Sequence, residues 1–89
     1  MKYGTIVATR GVAAEMEKSP IFAGELSIAF QRYQRGDWGD LCQEDKELND
    51  LAVNGEDRIL AAYKTSEGTI WIITEWDRSA TTFLFPSEY

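Results

Sequence analysis

From Pro20 to Gln34 the apolar residues Phe22, Leu26, Ala29, Phe30 and Tyr33 return at steps of three and four, which lays one stripe along a helix. Ser19 is placed to cap it, Pro20 stands at the first position where a missing N–H costs nothing, and Gly36 is a stop. Ahead of it, Lys2 to Thr9 holds the β-formers Tyr3, Thr5, Ile6, Val7 and Thr9, and Val12 to Lys18 reads as a short helix ending at Ser19-Pro20. A further helix is expected from Leu41 to Val53, with Leu41, Leu48, Leu51 and Ala52 on one side and Asn54-Gly55 ending it. In the last third the pattern turns β-rich: Arg58–Thr65, Thr69–Trp76 and Ala80–Phe85, separated by Ser66-Glu67-Gly68 and Asp77-Arg78-Ser79 at hairpin-loop length. The order β-α-α-α-β-β-β predicts an α+β domain: an antiparallel four-stranded sheet, with the first strand joining the other three and the helices packed on one face.

Eighty-nine residues make a single domain, residues 1–89, and eleven aromatic rings give it material for one modest core. The opening Met1-Lys2-Tyr3-Gly4-Thr5 has no secretory pattern, and no apolar run is long enough to span a bilayer, so the expected setting is the cytoplasm, away from membranes. Cys42 is the only cysteine, which excludes an internal disulfide and a cysteine-rich zinc site; it is expected to be buried filler. There is no histidine, so Ser-His-Asp and Cys-His catalysis and the commonest transition-metal ligand are absent. No phosphate-cradling glycine loop, metal-ligand spacing or cofactor motif replaces them. The expectation is a protein that binds rather than catalyses, with no cofactor and no metal. An Asp77–Arg78 turn pair reads as a connection between strands.

Charge narrows what it binds. The net charge is −6, and the segment from Asp37 to Asp57 holds Asp37, Asp40, Glu44, Asp45, Glu47, Asp50, Glu56 and Asp57 against Lys46 alone. That segment carries −7, which leaves +1 for the rest. Direct nucleic-acid binding is disfavoured, because its affinity comes from neutralising phosphates with Lys and Arg. A basic protein surface is the natural partner. On a helix beginning near Asp40, residues Asp40, Glu44 and Glu47 align on one face, with Asp37 extending the row; this is a solvated face or an imitation of a phosphate backbone. Trp38, flanked by glycine and acids, packs structurally or anchors an interface. The candidate partner-binding set is therefore these eight carboxylates and Trp38.

The stretches Asp37-Trp38-Gly39-Asp40-Leu41-Cys42-Gln43-Glu44-Asp45-Lys46 and Ile70–Thr82, the Phe85-Pro86-Ser87-Glu88-Tyr89 ending and the Thr5–Val12 opening resemble a family of small plasmid-related proteins of mobile elements. That likeness implies no catalytic residues. Small acidic proteins of mobile elements include anti-CRISPR and anti-restriction proteins, several of them DNA mimics. By class, size and charge the chain is expected to inhibit a host defence complex such as a CRISPR effector by occupying its DNA-binding groove, with a plasmid-maintenance or transfer accessory module as the alternative. Either a monomer or a homodimer fits, the latter if strand Ala80–Phe85 is a sheet edge that needs covering.

Overall fold

The computed structural model describes all 89 residues. The chain runs β1 (Thr5–Ala8), α1 (Arg10–Lys18), α2 (Pro20–Gln34), α3 (Gln43–Ala52), β2 (Ile59–Thr65), β3 (Gly68–Thr74) and β4 (Ala80–Leu84), and ends in a 3-10 turn at Pro86–Glu88. The sheet order is β1-β4-β3-β2.

Hairpins make β2, β3 and β4 antiparallel, as their short loops require. β1 departs from the expected pattern: it pairs with β4 in parallel, with Thr5 beside Ala80 and Ala8 beside Phe83, so the sheet is mixed rather than antiparallel throughout. The physical reason is the connection. Three helices and two strands separate β1 from β4, and with no tight turn between them nothing forces the pair to reverse direction. β4 is consequently an interior strand, which removes Ala80–Phe85 as an edge; the edges are β1 and β2.

α2 starts where its sequence signals lie. The Ser19 hydroxyl accepts the Phe22 N–H at 3.0 Å, and Pro20 sits in the first turn. Its stripe of Phe22, Leu26, Ala29 and Tyr33 is buried against Ile59, Ala61 and Tyr63 of β2, Ile70 and Ile72 of β3, and Phe83 of β4. A polar thread crosses this core. The Thr81 hydroxyl donates to the Tyr3 carbonyl at 2.7 Å, so Thr74, 2.8 Å away, must donate to Thr81, and the Tyr33 hydroxyl, at 2.6 Å, donates to Thr74. Burial pushes the Tyr33 hydroxyl up to about 12, which keeps it a donor. The sheet's other face carries Leu60, Ala62, Trp71, Ile73 and Leu84. The Tyr89 ring of the chain's end meets Trp71 edge-on there, with the Arg58 guanidinium over it.

Two carboxylates pin surface turns. Glu88 accepts from the Thr9 hydroxyl at 2.6 Å and from the N–H groups of Gly11 at 2.9 Å and Phe85 at 3.0 Å, tying the C-terminal turn to the start of α1. Glu25 of α2 accepts from the Ser66 hydroxyl and N–H in the β2–β3 loop.

Candidate protein-docking surface

The acidic segment divides into residues the fold consumes and residues it leaves free. Asp37 is consumed. The Arg32 Nε donates to its Oδ2 at 2.7 Å and Nη2 to its Oδ1 at 3.2 Å, Gly39 N–H donates to Oδ1 at 3.1 Å, and the Asp37 carbonyl accepts the Tyr63 hydroxyl at 2.7 Å. The Arg32 hydrogen bond holds the Asp37 carboxyl below its ordinary range, and the same bond raises Arg32. The Arg32 guanidinium also lies 5.1 Å from the centre of the Tyr63 ring.

Trp38 is 3% exposed. Its ring stands edge-on to Tyr33, and its indole N–H donates to Asp50 Oδ1 at 2.8 Å. It is therefore a core residue and not an exposed interface anchor, and Asp50 serves as its hydrogen-bond acceptor. A Trp flanked by glycines has two uses that the sequence does not separate. Here the glycine lets the backbone approach: Gly39, at φ +76°, bridges Ala62 in parallel, the Asp40 N–H donates to the Ala62 carbonyl at 2.7 Å, and Ala62 N–H donates to the Trp38 carbonyl. Residues 38–40 thus cover the outer edge of β2 and launch α3.

α3 begins at Gln43, with Cys42 as its N-cap, later than the expected start near Asp40. Asp40 accordingly belongs to the clamp on β2 and stands outside the helical row. Cys42 is exposed, not buried filler. Glu44 and Asp45 occupy the first turn, where the helix dipole favours negative charge. The helix buries Asn49, whose side-chain amide donates to the Leu60 carbonyl at 2.9 Å, and Ala52. Leu48 and Leu51, expected on one side of the helix with Ala52, are 58% and 75% exposed, whereas Ala52 is buried. Satisfying Asn49 turns the helix so that its leucines look outward. Residues 44, 47, 48 and 51 then share one face by helical spacing, so Glu44 and Glu47 border an exposed leucine pair. Leu41, Asp45, Leu48, Asn49, Arg58 and Leu60 line an adjoining open recess of about 300 Å³.

Asp40, Glu44, Asp45 and Glu47 are all exposed, and none forms an ion pair; the chain's one salt bridge is Arg32–Asp37. Glu47 has only a weak 3.4 Å contact from Gln43. Glu56 and Asp57 are exposed in the loop after α3, off the helical row. That loop is held by Arg78, a residue whose part the sequence did not reveal. From a left-handed backbone at φ 60° its guanidinium donates to the carbonyls of Ala52, Gly55, Asp57 and Glu75 and, at 3.4 Å, of Trp76. Asp77 does not pair with it but accepts the Ser79 N–H at 3.0 Å, within the turn. Arg78 joins the end of α3, the lead into β2 and the β3–β4 hairpin, and so fixes where the acidic helix stands.

No group of three or more acidic or cysteine side chains is disposed to hold a metal ion, and no helix is long and apolar enough to cross a membrane. No protein-family model, curated protein or solved structure matches the chain.

Proposed function

We propose that the chain is a protein-docking module that presents α3 to a basic surface of a partner protein, of the kind nucleic acid otherwise occupies, and inhibits that partner by exclusion. The observation that carries this reading is the arrangement on α3: unpaired Glu44, Asp45 and Glu47, with Asp40 nearby, around the exposed Leu48 and Leu51. Free carboxylates attract and orient a basic partner, and desolvation of the leucines supplies the contact a purely electrostatic patch lacks. A CRISPR effector or another nucleic-acid-handling defence complex of a mobile element's host is the particular partner proposed, since its guide and target grooves are basic and accessible. The eight-carboxylate surface expected from the sequence contracts to these four, because Asp37 and Asp50 are already engaged and Glu56 and Asp57 lie in the loop beyond the helix.

The test is inhibition of target-DNA binding by a purified CRISPR effector, with Glu44→Lys/Glu47→Lys and Leu48→Ser/Leu51→Ser variants that retain the wild-type circular dichroism spectrum. Loss of inhibition in the charge-reversed variant, together with weakening of the wild type as salt rises, is the expected result. Inhibition indifferent to the reversal would exclude this surface.

The leucine pair also favours a second reading, an accessory module of a plasmid or other mobile element that recognises one protein by shape. Binding that resists salt but is lost in the leucine variant would select it.

A further inference from the structure

We infer that two copies of the chain join through their β1 strands, extending the four-stranded sheet into a continuous eight-stranded one across a two-fold axis. The two sheet edges are treated differently. β2 is covered by residues 38–40 and carries Lys64, both of which block strand addition. β1 is short, at four residues, but it carries no other guard: Thr5-Ile6-Val7-Ala8 has no charge, no proline and no covering segment, and all four residues are exposed. The N–H groups of Thr5 and Thr9 point inward, to the carbonyls of Ser79 and Phe83. By the alternation of a strand, the N–H and C=O of Ile6 and Ala8 point outward, unpaired.

That pattern is self-complementary. With Val7 on the two-fold axis, Ile6 of one copy and Ala8 of the other exchange both backbone hydrogen bonds, and a large side chain is set beside a small one on the helix-bearing face. Below them lies an open apolar groove of about 290 Å³, lined by Ile6, Met16, Ala23, Leu26, Phe30 and Phe83 among others, with Ile6 52% and Met16 40% exposed. The partner's strand would roof it.

Charge selects a second copy joined here rather than elsewhere. The −7 segment sits at the β2 end of the sheet, three strand spacings from β1, and the remainder of the chain is nearly neutral. Pairing at β1 places the acidic segments at opposite ends, seven strand spacings or roughly 33 Å apart. That is several times the screening length of about 8 Å at physiological salt. Pairing through α3 would instead press like charges together.

Sedimentation equilibrium over a wide concentration range, with pulsed electron–electron resonance on a spin label at Cys42, tests this. Cys42 is exposed, unique and at the acidic end, so no cysteine need be added. The expected result is a species of twice the 10.1 kDa chain mass, with a label separation beyond about 30 Å and little salt dependence. Two variants keep the inward ladder: Ile6→Lys places charge on the edge, and Ile6→Pro deletes an N–H that points outward. With an unchanged circular dichroism spectrum, each should weaken association about tenfold or more. A chain that stays monomeric at every concentration overturns the proposal and leaves the edge to a foreign extended peptide. A dimer that survives both substitutions, or one with the labels close together, overturns it too.

Discussion

At the residue scale the backbone of Gly39 decides whether the acidic helix is in place. Its φ of +76° is disfavoured for any side chain, and a Cβ there would collide with the Ala62 carbonyl oxygen that the bridge uses. Gly39→Ala should lose about 1–3 kcal/mol from the left-handed conformation alone, visible as a lower urea midpoint, and should release the 38–40 clamp, visible as faster amide exchange at Asp40 and Ala62. Exchange that stays slow at both sites would mean that the clamp does not depend on this glycine. Arg78 makes a complementary case. Its donors reach five carbonyls, from the end of α3 to the β3–β4 hairpin, and a lysine carries one ammonium with three donors and no planar fork. Arg78→Lys should therefore destabilise by about 1 kcal/mol, the usual net worth of a hydrogen bond, chiefly through the part-buried Ala52 and Glu75 carbonyls, while Asp77→Asn should cost less because it touches a single turn.

At the scale of elements, the C-terminal turn is held by one carboxylate. Glu88 titrates below its ordinary range because the Thr9 hydroxyl, then the Phe85 and Gly11 N–H groups, bind its ionised form. A depressed folded-state pKa contributes stability that is complete above the unfolded value, about 4.3 for glutamate, and is lost as pH falls from there through the folded value. Acidification in that window should free the turn and uncover Trp71, which Tyr89 meets edge-on. Indole fluorescence should then shift with pH in the wild type but already be shifted at neutral pH in Glu88→Gln. The same scale shows what the sequence could and could not disclose. The α2 stripe, its Ser19 cap and the three C-terminal strands were legible because period and loop length fix them locally. The direction of β1 was not, since alternation carries no polarity and no short turn specifies it. Which side of α3 is buried was not legible either: its leucines share a side in the sequence, but a buried asparagine with its amide satisfied by the Leu60 carbonyl turns Leu48 and Leu51 outward. Of the candidate site, the free carboxylates could be foreseen from composition, but not which would be consumed. Asp37 and Asp50 are engaged by Arg32 and Trp38, residues that only the fold brings to them.

At the scale of the whole molecule, charge and apolar edge lie at opposite ends of one sheet. The free carboxylates of the acidic end strain the helix that carries them: Glu44, Glu47 and the Trp38-bound Asp50 stand three residues apart on α3, and the helix has no basic residue in its last turn to offset them. Like charges at this spacing cost a few tenths of a kcal/mol per pair. Glu44 regains some of this from the helix N-terminus, but Glu47 sits mid-helix and has only the long Gln43 contact. A surface kept for docking is one the fold would be no worse without. Glu47→Gln should accordingly leave stability unchanged or raise it by about 0.2–0.5 kcal/mol at low salt, a gain of roughly 1–4 °C in Tm for a domain of this size. The gain should fade as salt screens the repulsion in the wild type. Thermal unfolding of both proteins at low and high ionic strength decides the matter. A clear loss of stability in Glu47→Gln would make the carboxylate a structural member of α3, and the case for its being held in reserve for a partner would fail.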